Sequence, residues 1–169
     1  MTTMTIKDII IAREFDSPRE LVWKAWTDPK HFARWWGPKN FTAPYVSIDF
    51  RTGGKYIYCM RGPGLDGVIR DFWNTGEYLE IVPMEKIVCT DSFSDEKGNV
   101  VPASHYGLPG DWPLKLTVEV AFEEHHGKTI MTLRHVGIPE EMIEECETGW
   151  NESLDKLAES LSDVAESTP

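Results

Sequence analysis

Three ionisable residues, Arg13, Glu80 and His135, share strand faces with apolar side chains and are the best candidates for chemistry in this sequence. Side chains two residues apart in a strand point to the same side of a sheet, so these three should point into the protein. A buried charge needs a partner, and an ion pair between Arg13 and Glu80 is one interpretation. The other is that the three are polar anchors of a mostly apolar ligand cavity, where they could also act as acids or bases.

Large side chains on the same faces support a cavity more strongly than any single polar group does. A buried tryptophan or tyrosine needs a partner for its N–H or O–H, and a sheet curled over a helix leaves space that side chains, water or a ligand must fill. Plain core packing is the alternative for each of them. The residues predicted to line a ligand site are Trp36, Tyr56, Tyr58, Met60, Trp73, Tyr78, Val118, His135, Trp150, Leu154 and Leu157, with Arg13 and Glu80 as polar candidates.

Two adjacent tryptophans, Trp35 and Trp36, precede Gly37 and Pro38 at the end of a predicted helix. Neighbouring residues on a helix point about 100° apart, so one buried face cannot readily take both indoles. Trp35 continues the face set by Phe32 and is predicted to anchor the helix. Trp36 lies where the chain turns away, and we predict that its indole forms a wall of the cavity mouth.

Short motifs give no catalytic or cofactor signature. Residues 62–67, GPGLDG, match the glycine pattern of dinucleotide-binding loops but precede a strand rather than the helix that such a site needs. His125 and His126 lie in a predicted turn with no third ligand nearby. No metal and no cofactor are therefore expected.

Composition narrows the classes of partner. The net charge of −11, from 28 acidic and 17 basic side chains, disfavours nucleic acids and anionic membrane surfaces. The first residues lack a signal-peptide pattern, so a cytoplasmic protein is expected. Its cysteines are odd in number and far apart, which predicts reduced thiols that pack as small apolar groups. They are Cys59, Cys89 and Cys146.

Hydrophobic periodicity predicts the elements that must position these residues. An apolar strand over residues 6–15 precedes Ser17, which can begin a helix in a capping box with Glu20, and a second short helix follows. Between residues 41 and 136 the apolar period falls from 3.6 to 2, which predicts a meander of antiparallel strands. The helical period then returns in one long C-terminal helix. One α+β domain over residues 1–169 is predicted, its curved antiparallel sheet wrapped around that helix.

Five segments together resemble a known family. They are FDSPRELVWKAWTDPKHFARWWGPKNF, IDFRTGGKYIYCMRGP, GEYLEIVPMEKIVCTDSF, FEEHHGKTIMTLRHVG and GWNESLDKLAESL. The chain resembles, over about residues 6–162, the homologues of the activator of the heat-shock-protein-90 ATPase in the START/SRPBCC superfamily. Its bacterial branch is related to calicheamicin-resistance and polyketide-cyclase-like proteins. The resemblance implies the helix-grip fold, also called START-like or Bet v 1-like, with a deep apolar cavity between the sheet and the C-terminal helix.

Individual positions carry this resemblance. Trp36 with Gly37 matches a W-G motif of the family, and Gly149 and Trp150 with Leu154 and Leu157 match its C-terminal motif G-W-x₃-L-x₂-L. The loop of residues 99–113 is longer than the tight turn of many members. Such a loop could cover one end of the cavity or form a subunit contact.

Three hypotheses of function follow. The first is a small-molecule binding protein for a hydrophobic or aromatic ligand, favoured because no catalytic motif is present. The second is a cyclase-, aromatase- or hydrolase-like enzyme that uses the same cavity, with Arg13, Glu80 and His135 as acid and base groups. The third is a co-chaperone-like or homodimeric interaction module. Chaperone activation itself is not carried over from the family name, because fold does not fix function.

Overall fold

The computed structural model describes residues 6–167 and the side chains of residues 8–163. Seven strands and three α-helices form in this range. The strands are β1 (Ile6–Phe15), β2 (Thr42–Ile48), β3 (Lys55–Pro63), β4 (Ile69–Val82), β5 (Lys86–Ser94), β6 (Leu116–His125) and β7 (Lys128–Pro139). The helices are α1 (Arg19–Thr27), α2 (Pro29–Trp35) and α3 (Ile143–Ser167), with short 3-10 turns at Ala103–Tyr106 and Glu140–Met142.

All seven strands pair antiparallel in one sheet, in the order β1-β7-β6-β5-β4-β3-β2. Strands β2 to β7 follow one another as the predicted meander, and β1 closes the series beside β7. The inner face of the sheet, the face toward α3, carries the buried core. The predicted α+β helix-grip fold, with two short helices after the first strand, is confirmed.

The entrance to α1 differs from the prediction. Pro18 is the N-cap residue, and its side chain has no atom that could accept a hydrogen bond from the first turn of the helix. The capping box between Ser17 and Glu20 therefore does not form. Ser17 is buried instead, and its carbonyl oxygen accepts a 2.8 Å hydrogen bond from the Thr129 hydroxyl. That bond joins the start of α1 to β7, so a tertiary contact replaces the local cap.

The sheet holds α3 most tightly along the middle of the helix. Leu154 and Leu157 are fully buried and Leu161 nearly so, since their spacing of three and four residues forms one stripe on the helix. Nearer the start of α3, the same stripe continues into Trp150 and Cys146, which border open space. The packing of α3 therefore changes along its length.

A glycine in β4 leaves room for an aromatic ring from β3 to lie over β4 and reach β5. Gly76 lies opposite Tyr56, whose hydroxyl donates a 2.6 Å hydrogen bond to the carbonyl oxygen of Thr90. A Cβ atom on Gly76 would lie 2.0 Å from that oxygen and 2.6 Å from the Tyr56 ring. Only a residue without a side chain fits here, because the ring covers the backbone of β4.

Gly76→Ala should therefore lower the free energy of unfolding by about 3 kcal/mol or more, at the upper end of overpacking effects. Gly127→Ala is the matched control, since its Cβ would meet open space and only its positive φ of 78° is strained. The control should lose about 1–2 kcal/mol. Urea unfolding of both variants measures the difference, and equal losses would show that the ring does not exclude a side chain at Gly76.

Candidate functional site

A cavity of about 310 Å³ lies between the sheet and the first turns of α3. Strands β3 to β5, the segment after α2, and the loop of residues 99–113 form its other walls. Its walls are mostly apolar and rich in aromatic rings. The large apolar side chains are Trp36, Phe41, Tyr58, Met60, Leu65, Phe72, Phe93, Leu108, Trp112, Leu116, Met142, Cys146 and Trp150, and the polar ones are Asn74, Asp91, His135, Glu145 and Ser153.

A smaller chamber of about 50 Å³ adjoins this cavity on the side of the core. The two spaces share four walls, and these are Trp36, Tyr58, Asp91 and Trp150. The other walls of the chamber include Trp26, Phe32, Tyr56, Tyr78, Cys89 and Val118. The shared walls mark the boundary where an occupant of the large cavity would meet the aromatic core.

The adjacent tryptophans occupy the different environments predicted for them. Trp35 is fully buried, and its indole N–H donates a 2.9 Å hydrogen bond to the Ala25 carbonyl oxygen, which ties α2 to α1. Trp36 leaves the helix and lines both spaces. Its ring stacks on Phe32 at 4.6 Å and meets Trp150 edge-on at 5.2 Å.

A polar cluster crosses the gap between the sheet and α3. The Trp150 indole N–H donates a 3.0 Å hydrogen bond to Nδ1 of His135, on β7. His135 Nε2 lies 3.3 Å from Asp91 Oδ2, close enough for attraction although not aligned as a hydrogen bond. The amide nitrogen of Asn74 donates a 3.1 Å bond to Asp91 Oδ1. The cluster thus links α3, β7, β5 and β4.

The geometry fixes the protonation of His135. An indole N–H can only donate a hydrogen bond, so Nδ1 must accept it and carries no proton. The ring is therefore neutral, with its proton on Nε2, facing Asp91. Neither ring nitrogen is left pointing into the cavity with a free lone pair.

Two buried indole N–H groups find no acceptor among the described residues. They belong to Trp26 and Trp36, and both rings border the small chamber. An unpaired buried donor costs about 1–3 kcal/mol relative to a paired one. The same residue type pairs its N–H in Trp35 and Trp150, so the unpaired donors stand out locally.

The thiols and phenols around the cavity stay protonated at neutral pH. Burial, with a further contribution from the charge of Asp91, raises the pKa of Cys89 and of Cys146 to about 12. The same two causes raise the pKa of Tyr58 well above its ordinary value. All three cysteines are free thiols, as the sequence predicted. None of these groups is a nucleophile in this environment.

The long loop of residues 99–113 forms one end of the cavity. Leu108 and Trp112 line it, and Trp112 packs edge-on against Phe93 at 5.3 Å. The Tyr106 hydroxyl fixes the loop to the sheet, accepting a 3.1 Å bond from the Trp73 amide and donating to the Ser94 carbonyl oxygen. Of the two roles predicted for this loop, covering the cavity is the one these contacts support.

On the opposite side of the cavity, a lysine of α3 binds the chain segment that follows α2. The Lys156 ammonium donates to the carbonyl oxygens of Gly37, Pro38 and Phe41 at 2.9, 3.3 and 3.0 Å. Burial lowers the pKa of this lysine. These bonds hold the segment that follows Trp36 against the helix, where Gly149 leaves room for the Pro38 ring.

Eight of the predicted site residues border one of the two spaces. Trp36, Tyr58, Met60, His135 and Trp150 line the large cavity, and Tyr56, Tyr78 and Val118 line the small chamber. The remaining five lie elsewhere, which corrects the prediction that they line the site. They are Trp73, Leu154, Leu157, Arg13 and Glu80.

Three of these corrections follow from packing. Trp73 alternates with Phe72 and Asn74, which point into the cavity, so its indole lies on the outer face against Tyr45 at 5.7 Å. Leu154 and Leu157 lie on the predicted side of α3 but are enclosed where the sheet grips it closely. They are core residues.

Arg13 and Glu80 do not pair with each other. Arg13 faces α3 as predicted but forms a 2.7 Å ion pair with Asp155. The pairing register of β4 shifts between Tyr78 and Glu80, which lie opposite successive residues of β5 despite being two apart. This bulge turns Glu80 to the outer face, where it lies 3.2 Å from Lys86.

Asp91 and Asn74 are the important polar residues that the sequence analysis missed. Asp91 lies on the same face of β5 as Ile87, Cys89 and Phe93, all of which border one of the two spaces. The same parity argument that selected His135 therefore applies to Asp91. Asn74 shares its face with Phe72 and would have been found in the same way.

Other site types lack support in the described part of the chain. Within it, no three His, Cys, Asp or Glu side chains come together as a set that could hold a metal ion. None of the described helices combines the length and the apolar character needed to cross a membrane.

The two tryptophans provide a stability test. Trp35→Phe should lower the free energy of unfolding by about 2–4 kcal/mol, because it leaves a void and removes the partner of the Ala25 carbonyl. Trp36→Phe should cost about 1 kcal/mol, because its N–H has no partner to lose. Urea unfolding measures both, and equal costs would contradict the division between an anchor and a cavity wall.

Comparison with known proteins places this chain in a family. A crystal structure of a protein from Chromobacterium violaceum shares 29% identity and a TM-score of 0.73, covering 91% of this chain and 96% of that one. A solution structure of a protein from Arthrobacter aurescens shares 28% identity and the same TM-score, covering 96% and 93%.

A crystal structure of an AHSA1 protein from Silicibacter pomeroyi, at 22% identity and a TM-score of 0.70, covers 92% of this chain and 98% of that one and shows the shared fold. A comparison with curated proteins finds no match. The family model described as "Activator of Hsp90 ATPase homolog 1-like protein" matches residues 16–162. The chain therefore belongs to the family of activator of Hsp90 ATPase homolog 1-like proteins.

Proposed function

We propose that this protein binds a small hydrophobic or aromatic molecule in the cavity between the sheet and α3. The observation that carries the proposal is the apolar cavity of about 310 Å³, whose walls include the ring of Trp36. A cytoplasmic location is part of the proposal, and the three free cysteine thiols support it.

Binding an apolar ligand is favourable because it removes the apolar surface of the cavity walls from water. Apolar surface removed from water contributes about 25 cal/mol per Å², and rings such as Trp36, Phe93 and Trp112 offer broad flat contacts. Hydrogen bonds fix the positions of the walls, through Tyr106 on one side and Lys156 on the other. The site is therefore preformed, and a ligand binds with little loss of conformational entropy in the protein.

The alternative of an enzyme in the same cavity loses two of its three predicted groups. Arg13 and Glu80 lie outside both spaces, paired with Asp155 and Lys86. His135 borders the cavity, but Trp150 occupies one of its nitrogens and Asp91 faces the other. A general base needs a free lone pair within reach of its substrate, so this arrangement favours binding over catalysis.

Titration with pyrene, a neutral aromatic fluorophore, tests the proposal. The intact protein should bind one pyrene with a dissociation constant in the micromolar range, and pyrene emission should report an apolar environment. Ligand at about 100 times the dissociation constant should stabilise the fold by roughly 2.7 kcal/mol, which thermal unfolding detects.

A cavity-filling variant locates the bound probe. Cys146→Phe places a ring where the thiol lines the cavity and should weaken pyrene binding about 10-fold or more. Thr148→Phe puts the same ring on the exposed side of α3 and should leave binding unchanged. The proposal fails if the intact protein binds no pyrene, or if the two variants bind it equally.

A further inference from the structure

The charges around the cavity are of one sign. Its described lining includes two carboxylates, Asp91 between the two spaces and Glu145 at the exposed rim, and neither lysine nor arginine. Asp91 is well enclosed, with 14% of its side chain exposed. A carboxylate in such surroundings favours a positive partner and disfavours a second negative charge.

No positive side chain of the cluster neutralises Asp91. His135, its nearest titratable neighbour, is neutral because Nδ1 accepts the Trp150 N–H. Asn74 contributes only an amide dipole. The Asp91 carboxylate therefore borders the cavity with no positive side chain of the cluster beside it.

The cations behind the walls have partners of their own. Lys156 donates to three backbone carbonyl oxygens. Arg70, beside the lining residue Gly64, is held by two 2.6 Å bonds to Asp66. The positive end of the α3 dipole is offset by glutamates in its first turn, Glu144 and Glu145. None of these groups offers an anion a free charged donor inside the cavity.

This geometry points to a hydrophobic amine as the occupant, with its rings against the aromatic walls and its nitrogen directed toward Asp91. The inference rests on the proposed binding function and adds the chemical class of the ligand. Trp36, Tyr58 and Trp150 surround the position beside Asp91, and aromatic faces attract an ammonium group in addition to the carboxylate. The net charge of −11 acts in the same direction over a longer range.

One group on the wall favours a different ligand. The N–H of Trp36 has no acceptor among the described residues, and a carboxylic acid would supply one if the indole turned to expose its buried nitrogen. A neutral indole donor is weaker than a fixed carboxylate, so repulsion from Asp91 should dominate. An aromatic carboxylic acid is consequently the ligand that the experiment must distinguish from the amine.

Three probes with the same ring system separate these outcomes: naphthylethylamine, naphthylethanol and naphthylacetic acid. Calorimetric titration of the intact protein at neutral pH and low salt should give the amine about 10-fold tighter binding than the alcohol, the size of a charge-assisted hydrogen bond. The acid should bind more weakly than the alcohol. An alcohol that binds as tightly as the amine, or an acid that binds tightest, overturns the amine assignment while the binding function stands. If none of the three binds and pyrene also fails, both proposals fall.

Substitution of the carboxylate identifies its contribution. Asp91→Asn should bring the affinity for the amine to within about threefold of the affinity for the alcohol, with both ligands measured on the same variant. Glu123→Gln makes the same charge change at an exposed site on β6 and should preserve the preference. Loss of the preference in both variants would assign it to overall charge and overturn the role of Asp91.

The intact protein provides a second measurement if Asp91→Asn fails to fold. Nuclear Overhauser contacts should join the methylene protons beside the amine to the ring protons of Trp150 and His135. Contacts of those methylenes with Trp112, at the loop end of the cavity, would place the nitrogen away from Asp91 and overturn the assignment.

Discussion

The grip of one curled sheet on a single face of α3 is the constraint on which the rest of this structure depends. A helix is nearly straight and the sheet is twisted, so close contact is confined to part of the helix length. That part is the stripe of Leu154, Leu157 and Leu161, which excludes any ligand. Toward the start of α3 the surfaces diverge, and the cavity is the space that results. Core and binding site are thus two parts of one interface.

A diverging interface of this kind would collapse if only apolar contacts held it. Here the cluster of Trp150, His135, Asp91 and Asn74 links α3 to three strands across the gap. Such polar groups keep defined separations because each must stay near its partner in a medium that offers no substitute. The hydrogen bonds of Lys156 and Tyr106 act in the same way at the two sides. Directional bonds therefore maintain the space.

The fold could be predicted from sequence because it depends on periodicity and turn chemistry, which are local. Prediction of the site also requires the face of the strand on which each side chain lies. Alternation along the sequence gives that face only where the strands pair without a bulge. It succeeded for His135 and would have found Asp91, since β5 and β7 pair with β6 without a register shift. It failed for Glu80, because the bulge in β4 reversed the faces beyond Tyr78. Arg13 kept its face, but its partner Asp155 comes from α3, 142 residues along the chain.

Trp35 and Trp36 show why residue type alone cannot separate a structural role from a binding role. Both indoles are large, and both pack against Phe32. Their N–H groups differ: that of Trp35 bonds to the carbonyl of Ala25 inside the fold, and that of Trp36 has no partner among the described residues. An indole whose N–H is paired inside the fold fixes the position of a helix, as Trp35 does for α2. The ring of Trp36 comes after α2 has ended, so its position depends on the turn of the chain at Gly37, which residue type does not reveal.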